Sequence, residues 1–187
     1  MKTAIIIHGR PEKDEYYDTS FPTPSNSHWL PWLQKELLCR DTLTQTPELP
    51  RAFAPDYDEW KNIFEQFAVD ENTILVGHSR GGGFLLRWLS ETKITVGKVV
   101  LVAPSILANP GVVTGFSEYN IDPTLESRTT GITVFYSTDD EDGILKSIEK
   151  IRSVLPAISF REFSDKGHFT SGDGMDKFPE LLAEIEK

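Results

Sequence analysis

The sequence predicts an α/β fold: a compact, mostly parallel sheet with helices on both faces and no large lid domain. Three observations predict it. Short, continuous runs rich in Ile and Val recur at residues 4–7, 73–76, 99–102 and 132–136, which is how strands buried on both faces read. Amphipathic segments separate these runs, and strand–helix alternation is the mark of βαβ units. The chain has 187 residues, enough for a sizeable core and suited to one domain, residues 1–187.

The elements follow in order. Residues 4–7 form the first strand. The stretch 11–27, rich in Pro, Ser, Asp and Tyr, reads as a loop. Trp29, Leu30, Leu33, Leu37 and Leu38 share a helical face, and a weak edge strand is expected near 42–44. Tyr57, Trp60, Ile63, Phe64 and Phe67 form a second face ahead of strand 73–76. A helix-like apolar run follows Gly81, and strand 99–102 leads into another loop-like stretch, 105–131. Strand 132–136 comes next, then a helix carrying Ile144, Ile148, Ile151 and Leu155. A more polar strand over 158–163 and a helix carrying Phe178, Leu181, Leu182 and Ile185 complete the chain. Both loop-like stretches follow strands, so both emerge at the C-terminal edge of the sheet, where open α/β sheets bind ligands.

Charge and composition exclude some roles. The chain has 19 basic and 29 acidic residues, net −10, which disfavours nucleic acid or an anionic membrane as partner. Cys39 is the single cysteine, so no intrachain disulfide forms. The apolar run at 4–7 is too short for a signal peptide, and no stretch approaches the roughly 20 residues that span a bilayer. A cytoplasmic protein is the expectation.

One segment carries chemistry. Gly77-His78-Ser79-Arg80-Gly81 is G-x-S-x-G, with a strand before it and a helix after it. In such an elbow the serine sits on a strained turn that lifts its Oγ clear of the sheet. Small neighbours are needed because strand and helix nearly touch there. The competing readings are a serine that merely caps the helix and a phosphate-binding turn. The second lacks the Lys-Ser/Thr of a P-loop.

A serine nucleophile needs a base, and the base an orienting acid. His168, in Gly167-His168-Phe169, lies after the last strand-like run and before the last helix. Asp139, Asp140 and Asp142 follow strand 132–136. The order Ser79, an Asp near 140, His168 is the Ser–Asp–His order of α/β-hydrolases. The oxyanion hole is expected to use the backbone N–H of Arg80 and one from the loop after the first strand, Arg10, with Gly9 as the alternative.

With these residues in view, the chain resembles the small serine hydrolases related to retinoblastoma-binding protein nine. The likeness rests on the opening Ile7-His8-Gly9, the segment Ser27-His28-Trp29-Leu30-Pro31-Trp32-Leu33, the 77–82 elbow, Ser137-Thr138-Asp139-Asp140 and Gly167-His168-Phe169. It implies a lidless α/β-hydrolase with a serine nucleophile and no metal or organic cofactor. It also places the acid at the second Asp, giving Ser79, Asp140 and His168. The chain departs from the pattern in Glu141-Asp142-Gly143 after the acid and in the long Arg80 after the nucleophile. An L-x-C-x-E motif of the animal namesake is only approached, as Leu37-Leu38-Cys39-Arg40-Asp41, and both leucines read as core. A protein partner is therefore not expected.

The expected activity is hydrolysis of a small ester or related acyl substrate through an acyl-enzyme. A peptidase or amidase of the same fold, or a binding module with a vestigial triad, is the alternative. His28 and Trp29 are candidates for the pocket mouth, with the core as the other reading for Trp29.

Overall fold

The computed structural model describes residues 2–107 and 115–187. Six strands form one sheet: β1 (Lys2–Ile7), β2 (Thr42–Gln45), β3 (Thr73–His78), β4 (Lys98–Val102), β5 (Gly131–Ser137) and β6 (Ser159–Phe163). Their order is β2-β1-β3-β4-β5-β6, and all five pairings are parallel. Burial follows position. Central β3 is buried at every residue, edge strand β2 alternates buried and exposed, and edge strand β6 has no fully buried residue. The weak strand near 42–44 and the polar strand over 158–163 are these two edges.

The helices are α1 (Lys13–Tyr17), α2 (Leu30–Leu38), α3 (Tyr57–Phe64), α4 (Arg80–Thr92), α5 (Asp142–Val154) and α6 (Pro179–Ile185). Right-handed crossovers put the rightward connections on one face and the leftward one on the other. Accordingly α3 and α4 pack together, the Phe64 and Trp60 rings lying 5.3 and 5.8 Å from Phe84. Opposite them α2 and α6 meet, with Trp29 6.0 Å from Phe178. Pro31 in the first turn starts α2 with its φ already set. Asp56 caps α3 by accepting the Glu59 N–H at 3.0 Å.

Three expectations need correction. Residues 11–27 are not all loop: they hold α1 and a 3-10 turn at Pro24–Asn26. Helix α1 buries no residue; it rests on a Glu12–Glu15 box, in which the Glu12 N–H donates to Glu15 at 3.2 Å, so it has no apolar face to read. Leu38 is not core: it is 43% exposed while Leu37 is buried, because one residue further turns the helix about 100° away from the sheet. Phe67 lies beyond the end of α3 and is half-buried. In the stretch 105–131 a 3-10 turn forms at Leu125–Arg128, and residues 108–114 lie outside the described residues.

Among the described residues no helix is long and apolar enough to cross a membrane, and no group of three or more His, Cys, Asp or Glu is placed to hold a metal ion.

Candidate active site

Strand β3 ends at His78 and α4 begins at Arg80, which leaves Ser79 alone to turn the chain. It does so at φ 51°, ψ −117°, a conformation that costs a residue with a side chain about 1–3 kcal/mol. Three backbone hydrogen bonds hold it there. The Ser79 N–H donates to Val102 at 2.8 Å, and its carbonyl accepts from Ser105 at 2.9 Å and Gly83 at 3.1 Å.

The two motif glycines are needed for close approach. A Cβ on Gly77 would lie 2.7 Å from Gly82, and one on Gly81 would lie 2.4 Å from the carbonyl oxygens of Ile7 and His8. These are backbone atoms and cannot swing aside. Gly81→Ala is therefore expected to destabilise by about 3 kcal/mol, the upper part of the overpacking range. That corresponds to a Tm lower by roughly 6–12 °C for a chain of this size. A melt unchanged within about 2 °C would show that the elbow is looser than described.

His168 lies on the loop after β6, between Gly167 (φ 48°) and Phe169 (φ 58°). Its Nδ1 is 3.0 Å from each carboxylate oxygen of Asp140, and its Nε2 is 2.8 Å from Ser79 Oγ. A carboxylate only accepts, so Nδ1 carries the proton and the Nε2 lone pair faces the serine hydroxyl. The Asp140 side chain is fully buried and also accepts the Glu141 N–H at 2.7 Å. Asp139 points elsewhere: it takes a hydrogen bond from the Ser137 hydroxyl and the Gly167 N–H at 3.2 Å. Asp142 is exposed in the first turn of α5.

The long Arg80 is accommodated by burial. Its guanidinium donates to the carbonyls of Ser105 (3.2 Å) and Leu107 (3.1 Å) and to Ser117 Oγ (3.3 Å). It also lies 5.3 Å from the Phe116 ring. Burial lowers its pKa to about 10, so it stays cationic at neutral pH. Its backbone N–H stands at the positive end of α4. On the other side, Gly9 comes so close that a Cβ there would be 3.1 Å from Ser79 Cβ. The Arg10 guanidinium turns outward to Glu12 at 2.8 Å.

The structure splits the two mouth candidates. His28 lines the cavity at Ser79, and its Nδ1 accepts the Ser171 N–H at 3.0 Å. Burial first, then the nearby His168, pushes its pKa down. Trp29 does not line the mouth: it is wholly buried, and its indole N–H donates to the Phe169 carbonyl at 3.2 Å.

Several contacts escaped the sequence reading. His78 Nε2 donates to the His168 carbonyl at 2.8 Å, and Asp173 accepts the His168 N–H at 3.1 Å. His78, Trp29 and Asp173 thus clamp the loop of the candidate base. Only Asp173 left a signal, the capping-box spacing Thr170-x-x-Asp173. Burial, reinforced by His168, pushes the His78 pKa well down, so it remains a neutral donor. The cavity holds about 910 Å³, at the large end of ligand pockets. Tyr16, Tyr17 and Phe21, from the stretch read as loop, form an aromatic wall, of which Tyr17 and Phe21 are at least half exposed.

Comparison with known proteins agrees with this architecture. The profile of the serine hydrolase family matches residues 20–187. YdeN of Bacillus subtilis (strain 168), a proposed hydrolase, is 24% identical over 184 residues, covering 95% of this chain and 91% of its own. Its crystal structure superposes with a TM-score of 0.84 at 23% identity, over 100% of this chain and 97% of that one. A methylesterase, MES16 from Arabidopsis, matches with a TM-score of 0.63 at 13% identity, over 99% and 97% of the two chains. Est1E from Butyrivibrio proteoclasticus, solved with ferulic acid bound, matches at 0.61 and 12% identity, over 100% and 90%. At these identities the structural likenesses establish the α/β-hydrolase fold.

Proposed function

Because the chain belongs to the serine hydrolase family, we propose that it hydrolyses a small ester or related acyl substrate through a Ser79–His168–Asp140 triad. The observation that carries this reading is the continuous hydrogen-bond chain from Ser79 Oγ through both nitrogens of His168 to a buried carboxylate. Among the described residues no other serine combines that chain with a strained elbow.

The steps follow from the geometry. Ser79 Oγ attacks the acyl carbon as His168 Nε2 takes its proton. Asp140 stabilises the imidazolium. The negative charge that develops on the carbonyl oxygen is held by the backbone N–H groups of Arg80 and Arg10. His168 then returns the proton to the leaving alcohol, and water deacylates the enzyme by the same relay. Each step uses protein groups and water alone. A small acyl substrate, a cytoplasmic setting and the absence of a macromolecular partner belong to this same proposal.

A fluorophosphonate is expected to add once per chain, with the adduct located on the Ser79 peptide by mass spectrometry. An adduct elsewhere would sink the assignment, and none at all would favour a binding module. A short or medium acyl chain is expected because, among the described residues, no large lid domain is inserted between the strands. Rates on p-nitrophenyl esters should fall as the chain lengthens, and aminoacyl anilides run alongside would reveal an amidase. A preference for long chains, with activation at a lipid interface, would overturn the substrate class.

A further inference from the structure

We propose that His8 is a positioning residue that presets the oxyanion hole by fixing the orientation of the Gly9–Arg10 peptide. This rests on the reading of the Arg10 N–H as an oxyanion donor.

His8 follows directly on β1, with its ring wholly buried and edge-on to Trp60 at 5.5 Å. Its Nδ1 is 2.8 Å from the Gly9 carbonyl oxygen, and its Nε2 accepts the Leu49 N–H at 2.9 Å. A carbonyl only accepts and an N–H only donates. Both partners therefore dictate one form: a neutral ring with its proton on Nδ1. The Glu48 carboxylate, 3.7 Å from Nε2, favours a charged ring, but burial outweighs it and pushes the His8 pKa down.

The consequence lies one bond further on. The Gly9–Arg10 peptide is trans, so its C=O and N–H point in opposite directions. The C=O is drawn towards the buried ring of His8, which turns the N–H the other way. That N–H has no hydrogen-bond partner among the described residues, and Gly9, Arg10 and Ser79 line one cavity. Glycine alone would let this peptide flip. A flip would aim a carbonyl oxygen at the developing oxyanion, replacing a donor with a repulsive dipole. The bond from His8 prevents the flip before substrate arrives, which is the preorganisation that oxyanion stabilisation requires.

Two substitutions separate the ring nitrogens. Asn places its amide near Nδ1, and Gln places its amide near Nε2. His8→Asn keeps the bond to Gly9 and loses that to Leu49; His8→Gln does the reverse. With rates normalised to fluorophosphonate-titrated sites, His8→Gln is expected to lower kcat by about 10²–10³ with little change in KM, and His8→Asn to stay within roughly tenfold of wild type. Equal kcat losses for the two, or a worse loss for Asn, would show that His8 is merely structural. If either variant fails to fold, the ¹⁵N shifts of His8 in the wild type decide: a proton on Nδ1 supports the proposal, and one on Nε2 overturns it. If Ser79→Ala retains turnover, the catalytic reading itself falls. If Ser79→Ala is dead while His8→Gln keeps its kcat, only the role of His8 falls.

Discussion

Ser79→Ala and His168→Ala are each expected to lower kcat by about 10⁶, and the double variant to lose no more, because serine and imidazole act as a unit. The 2.8 Å contact between Nε2 and Oγ is the basis. Without Oγ there is nothing to deprotonate, and without the imidazole the hydroxyl remains a poor nucleophile. The two variants differ in stability. Alanine keeps the Cβ and the backbone strain of Ser79, so the melt should hardly move. His168→Ala strips the partner from a carboxylate whose side chain is fully buried, and an orphaned buried charge is strongly destabilising. Turnover of a p-nitrophenyl ester must therefore be compared per folded molecule. Losses that multiply in the double variant, or a single loss below about 10³, would mean that the two groups do not form one relay.

What the sequence disclosed follows from how local each feature is. β3 is buried on both faces, so it had to be a continuous apolar run, and the elbow had to be Gly77-x-Ser79-x-Gly81 because two backbones touch there. His168 and the three candidate aspartates stood out because they follow strands of one parallel sheet, but position alone left Asp139, Asp140 and Asp142 open, and only the family resemblance chose Asp140. Trp29 was ambiguous for the opposite reason. Its indole partner, the Phe169 carbonyl, is 140 residues away, and periodicity carries no information at that distance. The same holds for His78, whose motif position gave no hint of its bond to the His168 carbonyl. Helix α1 has no buried side chain, so the hydrophobic pattern was silent, and with it the aromatic wall that Tyr16 and Tyr17 bring to the cavity. Leu38 was misplaced by the one-residue step that separates a buried helical stripe from its flank.

Asp140→Asn is expected to lower kcat by about 10⁴, by analogy with serine-protease triads, while leaving the fold intact. Asn has the shape of Asp and fills the same buried space. It carries no charge to balance the imidazolium, and its NH₂ group can donate to Nδ1. That donation would force the His168 proton onto Nε2, facing Ser79 Oγ where a lone pair is required. The neighbouring aspartates should behave differently. Asp139 is exposed and braces the base loop through the Ser137 hydroxyl and the Gly167 N–H. Asp139→Asn keeps an accepting oxygen there and should cost at most about tenfold, since it acts on position and not on charge at the imidazole. Asp142 touches neither ring nitrogen of His168 and sits at the start of α5, so Asp142→Asn should lose only the few tenths of a kcal/mol, roughly, that a carboxylate contributes at a helix N-terminus. Measuring kcat and Tm for the three single variants decides the assignment. Near-normal turnover in Asp140→Asn, with a large loss in Asp139→Asn or Asp142→Asn, would move the acid to that residue.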